Sequence, residues 1–270
     1  MLKYDGTEFH GWQRQPGQRT VQGVLEDALG RILGRSPYVY GAGRTDSGVH
    51  ALAQVAHFRT DEGPPLDEFR DALRHILPED LGVVSMVRVK ENFHARHHAT
   101  GKIYRYVIHN NPFPDPFRSR FEALVRAPLH LESMKKAAAF LIGRHDFAAF
   151  RSAKATSKTT ERNLDRITLI KKGKRIEVEF RAPGFLYHMV RNIMAALIEV
   201  GKGRLEPEDV RTLLESKDRH GAPASAPAKG LVMVKVMYGK RKNERGKIEN
   251  WRTSESREQG DEEQDIEPEA

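Results

Sequence analysis

Hydrophobic residues in the first third of the chain recur at helical spacing in two stretches. Apolar side chains at every third or fourth position predict a helix over residues 20–33, with Thr20 as its N-cap and Gly34 as its stop. The same spacing predicts a second helix over 66–77, which Pro78 ends. We expect each helix to bury one face against a core.

Short runs rich in apolar and β-branched residues surround these two helices. They predict strands over 37–42, 52–59 and 83–89. If the first few residues also form a strand, this half of the chain has the element order βαββαβ, which is the split βαβ or ferredoxin-like unit.

The second half of the chain repeats this order of elements. A period-two alternation predicts the strand at 102–109, and 164–171 and 175–181 form a predicted hairpin around residues 172–174. The halves share no matching residues, so only the order repeats. The further predicted strands are 121–126 and 231–238, and the predicted helices are 131–142, 185–200 and 208–216.

Two long segments interrupt the pattern. Residues 145–160 contain Arg151, Lys154 and Lys158, and residues 219–230 are rich in Ala, Pro and Gly. Long loops in a compact domain are more often functional or mobile than incidental. We therefore expect the first segment to take part in binding.

The formal net charge of +8 is unevenly distributed. Residues 253–270 hold eight acidic residues and one basic residue, so the rest carries 44 basic and 29 acidic residues, a balance of +15. A body this basic favours a polyanionic partner, most commonly nucleic acid, although many basic proteins bind none. Residues 240–270 are highly charged and poor in apolar residues, which predicts a disordered tail.

Composition also excludes several classes of protein. Cysteine is absent, so disulfides, thiolate metal sites and cysteine nucleophiles are excluded. No apolar run reaches the roughly 18 residues that span a bilayer. The chain opens without an apolar signal region, so we expect a cytoplasmic protein.

Two local patterns resemble metal or phosphate sites only superficially. His94, His97 and His98 lie close together, but they lack the His-Glu-x-x-His spacing of a helical zinc site. The run 41–43 lacks the later Gly-Lys-Ser/Thr of a phosphate loop. We therefore expect neither a metal site nor a phosphate loop in these segments.

The segment Gly43-Arg44-Thr45-Asp46-Ser47-Gly48-Val49-His50 is the strongest candidate for chemistry. Two glycines flank a polar core directly after a predicted strand, which permits a tight turn that presents Arg44, Thr45 and Asp46 outward. Spacing alone favours a structural interpretation, in which Asp46 caps its own turn and Arg44 is solvated. A catalytic carboxylate is the alternative.

Several further segments occur with this one in a fixed order, and together they resemble the tRNA pseudouridine synthase A family. The resemblance extends from Leu2 to about Tyr238. Ser47 and Ala148 depart from it mildly, and the segment before Tyr4 is short. The other matching segments are Tyr4-Asp5-Gly6-Thr7 to Gly11-Trp12-Gln13, Thr20-Val21-Gln22-Gly23, Phe93-His94-Ala95-Arg96, Lys102-Ile103-Tyr104-Arg105-Tyr106, His145-Asp146-Phe147, Phe185-Leu186-Tyr187-His188-Met189-Val190-Arg191-Asn192-Ile193 and Ala226-Pro227-Ala228-Lys229-Gly230-Leu231.

The resemblance implies an α+β pseudouridine synthase fold, in which two ferredoxin-like βαββαβ halves form one mixed sheet with a central cleft. It implies an N-terminal half at 1–100, a C-terminal half at 101–239, and the charged tail at 240–270. The implied reaction isomerises uridine to pseudouridine without a cofactor, at positions 38–40 in the anticodon stem-loop of tRNA. Such an enzyme must first extract the base from its stack.

The resemblance also assigns roles to individual residues. Asp46 becomes the catalytic nucleophile, Tyr104 stacks on the extracted base, and Arg191 keeps the carboxylate ionised. Leu231 becomes a wall of the pocket, and Arg44 helps to displace the base. Without the resemblance, these would be a core tyrosine, a solvated arginine, a core leucine and a surface charge.

The resemblance further implies a homodimer whose basic clefts receive tRNA, with no membrane association. Arg151, Lys154 and Lys158 are the candidate phosphate contacts, which predicts an affinity that falls steeply with salt. Two other hypotheses remain open. One is a catalytically silent RNA-binding protein, and the other is an interaction role that depends on the charged tail.

Overall fold

The computed structural model describes residues 1–61, 63–152, 159–239, 241–242 and 248–249. Two 3-10 helices, Ala148–Phe150 and Ala228–Gly230, accompany the regular elements. The elements in chain order are β1 (Leu2–Tyr4), α1 (Val21–Leu33), β2 (Tyr40–Gly41), β3 (His50–Gln54), β4 (Ala56–His57), α2 (Leu66–Ile76), β5 (Leu81–Val83), β6 (Gly101–Asn110), β7 (Ala123–Val125), α3 (Leu131–Ala139), β8 (Gly143–Asp146), β9 (Glu161–Leu164), β10 (Arg166–Lys172), β11 (Arg175–Ala182), α4 (Met189–Gly201), α5 (Pro207–Ser216), β12 (Leu231–Met237), β13 (Arg241–Lys242) and β14 (Ile248–Glu249).

One eight-stranded mixed sheet joins the two halves of the chain. Its order is β10-β11-β6-β12-β3-β1-β5, and β7 runs parallel to the end of β6. The second half supplies β10-β11-β6-β12, which is the strand order of a split βαβ unit. The first half supplies β3-β1-β5, and its remaining strand, β2, pairs with β4 in a separate ribbon. The predicted α+β class with one mixed sheet is confirmed.

A single parallel pairing connects the halves. Strand β12 runs alongside β3, with Val232 opposite His50 and Met233 opposite Ala51. The residues just before β3 are the glycine-flanked segment, and those just before β12 belong to the long segment 219–230. The seam of the sheet therefore brings together two segments that are far apart in sequence.

Helix α1 follows its sequence signals closely. The Thr20 hydroxyl accepts a hydrogen bond from Gly23 N at 3.2 Å, which satisfies one of the free N–H groups of the first turn. Gly34 ends the helix in a left-handed conformation with a φ of 69°. Helix α2 likewise covers nearly the whole of the predicted stretch.

The short strands of the first half differ from the predictions. Only Tyr40–Gly41 is extended within 37–42, and the prediction at 52–59 becomes two strands that break between Gln54 and Ala56. The strand predicted at 83–89 is instead Leu81–Val83. It ends early because its partner, β1, has only three residues, so no ladder exists for the chain to continue along.

Two predicted helices are also shorter than their apolar patterns. The helix predicted at 185–200 begins only at Met189, because His188 adopts a left-handed conformation. The helix predicted at 131–142 ends at Ala139. A hairpin of β8 and β9, which was not predicted in this form, brackets the segment between Asp146 and Glu161.

A continuous core lies between the sheet and the helices. Helix α4 is buried along nearly its whole length, and the large side chains of Tyr106, Phe147, Phe150 and Phe180 are fully buried. Within the described residues, no helix is both long and apolar enough to cross a membrane.

Three predictions remain untested by the fold. The division of the chain at residues 100 and 239 stays a prediction. Of the segment 240–270, only the short pair Arg241–Lys242 and Ile248–Glu249 is described, so its predicted disorder also stays a prediction. Lys154 and Lys158 lie outside the described residues.

Candidate active site

The loop of residues 43–48, called here the Asp46 loop, is a tight turn that leads into β3. Gln54 Nε2 donates to the Gly43 carbonyl at 2.7 Å, and Val49 N donates to the Asp46 carbonyl at 3.1 Å. Gly48 has a φ of 76°, which side-chain-bearing residues rarely adopt. Gly48 thus has the turn-forming role expected from the sequence, whereas Gly43 does not have a positive φ.

Asp46 lies in a partly buried position and faces two nitrogen-bearing side chains at the start of α4, of which Arg191 forms a hydrogen bond with it. Arg191 Nη1 lies 3.3 Å from Asp46 Oδ2, and His188 Nε2 lies 3.5 Å from the same oxygen. The side chains of Asp46 and Arg191 are only 13% and 15% exposed. Because little water screens this ion pair, its attraction is stronger than that of a surface pair.

Arg191 is fixed in place by a second set of contacts. Its Nε donates to the Ala226 carbonyl at 2.8 Å, and Ala226 N donates to the Arg191 carbonyl at 3.1 Å. These bonds tie the first turn of α4 to the segment before β12. The guanidinium is therefore held with its Nη1 directed at the carboxylate, which argues against a solvated arginine.

His188 occupies a strained backbone position at the N-cap of α4. Its φ of 62° and ψ of 1° are left-handed, and only one other non-glycine residue among those described, Lys217, has a positive φ. The imidazole packs on the Tyr187 ring with centroids 4.1 Å apart. Burial lowers the pKa of His188, and the Asp46 carboxylate opposes this shift only in part. The imidazole is therefore mainly neutral near pH 7.

Two tyrosines on one face of β6 have different surroundings. Tyr106 is fully buried, and its hydroxyl donates to the Pro227 carbonyl at 2.9 Å, which is a structural role. The Tyr104 hydroxyl has no hydrogen-bond partner among the described residues, and its ring meets Phe185 edge-on at 5.1 Å. Burial raises the pKa of Tyr104, and the negative charge of Asp46 adds to this shift. Its phenol therefore stays protonated.

A buried hydroxyl network supports the Asp46 loop from behind. The Tyr4 and Thr45 hydroxyls lie 2.9 Å apart, and burial raises the pKa of Tyr4 to about 12. Trp12 N donates to the Thr45 carbonyl at 3.0 Å. Thr45 is therefore buried, so the expectation that it points outward is wrong. On the other side of Asp46, Gly48 N donates to the Phe9 carbonyl at 3.2 Å. Because residues on both sides of Asp46 are fixed, the carboxylate has little freedom to move.

Three other residues predicted from the sequence, Leu231, Arg44 and Arg151, lie in the described part of the chain. Leu231 is buried as the first residue of β12, opposite Tyr106 in the register with β6. Arg44 is exposed on the Asp46 loop, and Arg151 follows the 3-10 helix Ala148–Phe150. Neither arginine forms an ion pair or side-chain hydrogen bond with Asp46 in the described part of the chain.

The histidine-rich segment has a structural arrangement. His98 Nδ1 accepts from His94 N at 3.0 Å, and His94 Nδ1 accepts from Arg96 N at 3.1 Å. These bonds engage Nδ1 of His94 and of His98 in holding the turn of the backbone. No group of three or more potential metal ligands occurs among the residues described.

Sequence reasoning missed two residues at the site. His188 lies within the matching segment 185–193. Because the apolar pattern includes residues 185 and 186, it predicts a helix that starts before His188, and so it does not reveal that His188 is the N-cap. Lys102 begins a matching segment, and its Nζ comes within 3.3 Å of the point that a Cβ on Gly43 would occupy. Its place two residues before Tyr104 was the available signal, because such residues share a face of a strand.

The mixed sheet and the carboxylate–arginine contact across its seam place the chain in the class of pseudouridine synthase folds. The family model described as tRNA pseudouridine synthase matches residues 1–98 and 137–239. The chain belongs to the tRNA pseudouridine synthase family, whose members are isomerases. The resemblance noted in the sequence is therefore confirmed.

Individual relatives match along most of their length. The chain is 45% identical over 238 residues to the tRNA pseudouridine synthase A of Brevibacillus brevis, covering 88% of this chain and 98% of that protein. It is 42% identical to the enzyme of the same name from Acetivibrio thermocellus, with the same coverage. The Pelobacter propionicus enzyme is 44% identical, covering 88% of this chain and 97% of its own.

Proposed function

We propose that this protein converts uridine to pseudouridine at positions 38–40 in the anticodon stem-loop of tRNA, with Asp46 as nucleophile. Family membership supports the reaction, and the 3.3 Å contact between Arg191 Nη1 and Asp46 Oδ2 carries the assignment of the site. The two residues are 145 positions apart in sequence, so their meeting is a product of the fold.

The reaction rearranges bonds without a net change in composition. The N1–C1′ bond of uridine breaks, the base turns, and a C5–C1′ bond forms. The proton on C5 is lost, and N1 gains one. Asp46 can attack C1′, add to the base, or take a proton on a route through a glycal. Each route needs an ionised carboxylate beside the anomeric centre, as in glycoside chemistry.

The neighbours of Asp46 fit such a role. Arg191 and His188 both approach Oδ2, and no hydrogen bond ends on Oδ1 within the described residues. Oδ1 is then the oxygen that faces the ribose. Tyr104 presents a protonated hydroxyl and a ring on which an extracted base can stack.

The remaining residues receive supporting roles in this proposal. Arg44, exposed on the Asp46 loop, helps to displace the target base, and Leu231 forms a wall of the pocket. Arg151, Lys154 and Lys158 contact tRNA phosphates. The enzyme acts in the cytoplasm as a homodimer, with each basic cleft open to tRNA.

Incubation of the purified protein with unmodified tRNA transcripts tests this function. Pseudouridine should form at positions 38, 39 or 40 wherever these are uridines, and at no other position. A transcript in which these uridines are replaced by cytidines is the matched control and should remain unmodified. Pseudouridine only at other positions would overturn the proposed substrate, and none at all would favour a silent RNA-binding protein.

A further inference from the structure

Three cations, of which Lys102 borders the Asp46 loop, have no role in the proposed chemistry. They are Arg96, Lys102 and Arg162, called here the cationic cluster. Lys102 lies two residues before Tyr104 on β6, so both side chains project from the same face. A Cβ built on Gly43 would lie 3.3 Å from Lys102 Nζ and 3.5 Å from the Tyr104 hydroxyl. The ammonium group therefore borders the Asp46 loop directly.

The charge of Arg96 acts on both of the other cations. Burial and the charge of Arg96 together lower the pKa of Lys102 to about 8. Burial and the same Arg96 lower the pKa of Arg162. Arg162 Nη1 donates only to backbone carbonyls, those of Thr159 and Glu161, at 3.2 and 2.6 Å.

No negative charge compensates the cationic cluster. Across the residues that the structure describes, no carboxylate lies within 4.0 Å of Arg96, Lys102 or Arg162, whereas most other arginines of the body have such a partner. Like charges drawn together in a partly buried place are unfavourable unless an anion joins them. Such an arrangement is typical of binding sites rather than of structural ion pairs.

We propose that Lys102, at the border of the Asp46 loop, binds a backbone phosphate of the RNA substrate, next to the nucleotide that enters the site. This inference rests on the proposed function and makes it more specific. Successive residues of a strand are about 3.3 Å apart, so Lys102 and Tyr104 are separated by about 7 Å along β6. A phosphate on Lys102 then lies within one nucleotide of a base on Tyr104.

The donors suit a phosphodiester. Arginine and lysine supply several N–H groups to phosphate oxygens, and bonds between charged groups are stronger than those between neutral ones. Arg96 is exposed, so a chain of RNA can reach the cluster from solvent. A free phosphate ion offers the same oxygen acceptors as a phosphodiester. Binding measurements with RNA and with inorganic phosphate distinguish these two ligands.

Binding of unmodified tRNA tests the cluster without reference to turnover, in full-length protein that carries Asp46→Ala. Lys102→Met should weaken binding about tenfold at low salt, because one charge-assisted contact is lost. It should also reduce the slope of log affinity against log salt concentration by about one. Lys102→Arg should keep the slope, and Lys171→Met, on the distant β10–β11 hairpin, should change neither quantity.

A chemical double-mutant cycle then locates the phosphate. Anticodon stem-loops with a neutral methylphosphonate on the 5′ or the 3′ side of the target uridine are compared with unaltered RNA. At one of the two linkages, the neutral group should weaken binding to the protein that retains Lys102. The same group should not weaken binding to Lys102→Met any further. Additive losses at both linkages would overturn the proposal, as would an unchanged affinity and slope in folded Lys102→Met.

Inorganic phosphate is the remaining probe. If it raises the melting temperature of the Lys102 protein but not of Lys102→Met, while neither linkage couples to Lys102, the cluster takes free anions and the RNA assignment is wrong. Failure of the proposed function gives a different result. In that case tRNA fails to bind any of the variants, or the protein with Asp46 intact binds tRNA without modifying it.

Discussion

Arg191 and His188 approach the same oxygen of Asp46. Arg191 Nη1 and His188 Nε2 meet Oδ2, at 3.3 and 3.5 Å. A carboxylate held through one oxygen presents the other in a fixed direction, which lowers the reorganisation that the reaction requires. His188 adopts an unfavourable left-handed backbone to reach this position, and such strain is typical of functional sites.

Replacement of His188 separates its side chain from its backbone. His188→Gly should lower kcat about tenfold, because the imidazole lies 3.5 Å from Asp46 Oδ2 and limits the movement of the carboxylate. Its melting temperature should not fall, because glycine adopts the left-handed conformation without strain. His188→Gln, which places an N–H near the position of Nε2, should recover part of the rate. An unchanged kcat and KM in His188→Gly would exclude a positioning role.

The two tyrosines of β6 offer a crossed comparison. Tyr106→Phe should destabilise the protein by about 1 kcal/mol, because the bond to the Pro227 carbonyl is lost, yet it should leave kcat nearly unchanged. Tyr104→Phe should lower kcat but leave the stability nearly unchanged, because the Tyr104 hydroxyl has no hydrogen-bond partner among the described residues. Thermal unfolding and single-turnover rates of both variants measure this. The same pattern in both variants would contradict the assignment.

At the scale of elements, local signals were predictable and non-local ones were not. The ends of α1 follow from Thr20 and Gly34, because caps are local interactions. The end of β5 depends on the length of β1, which no nearby residue encodes. Spacing alone favoured a structural turn for Asp46, because its contact with Arg191 exists only in the fold. Resemblance supplied Arg191, but neither pattern nor resemblance gave His188 a role.

The turn geometry of the Asp46 loop can be tested with a matched pair of glycines. Gly48 and Gly173 both have left-handed φ angles, of 76° and 58°. Replacement of either by alanine should cost about 1–2 kcal/mol of stability. Only Gly48→Ala should also lower kcat, because its new Cβ would lie 3.3 Å from the Ala228 side chain and displace the loop. Equal kcat values for the two variants would show that the loop tolerates this change.

At the scale of the whole molecule, the parallel pairing of β3 with β12 creates the site. It joins the two halves so that the Asp46 loop faces the start of α4. Charge is unevenly distributed along the chain. Residues 1–239 hold 38 basic and 27 acidic residues, so the body alone retains a strongly positive balance. This balance favours association with RNA at low salt.

Removal of residues 240–270 should therefore leave the single-turnover rate of pseudouridine formation unchanged. All of the proposed catalytic residues precede this segment, and so does the cationic cluster. The affinity for tRNA should change only through the loss of the charges in this segment, and this change should disappear at high salt. Loss of catalysis in a folded truncated protein would instead support an essential role for the tail.

The rate of pseudouridine formation by Asp46→Ala tests the central claim most directly. Under single-turnover conditions with unmodified tRNA, this variant should be at least ~10³-fold slower than the parent, with its affinity for tRNA nearly unchanged. Asp61→Ala, which removes a highly exposed carboxylate, should react at the parent rate. If Asp46→Ala forms pseudouridine at a rate close to that of Asp61→Ala, Asp46 is not the nucleophile.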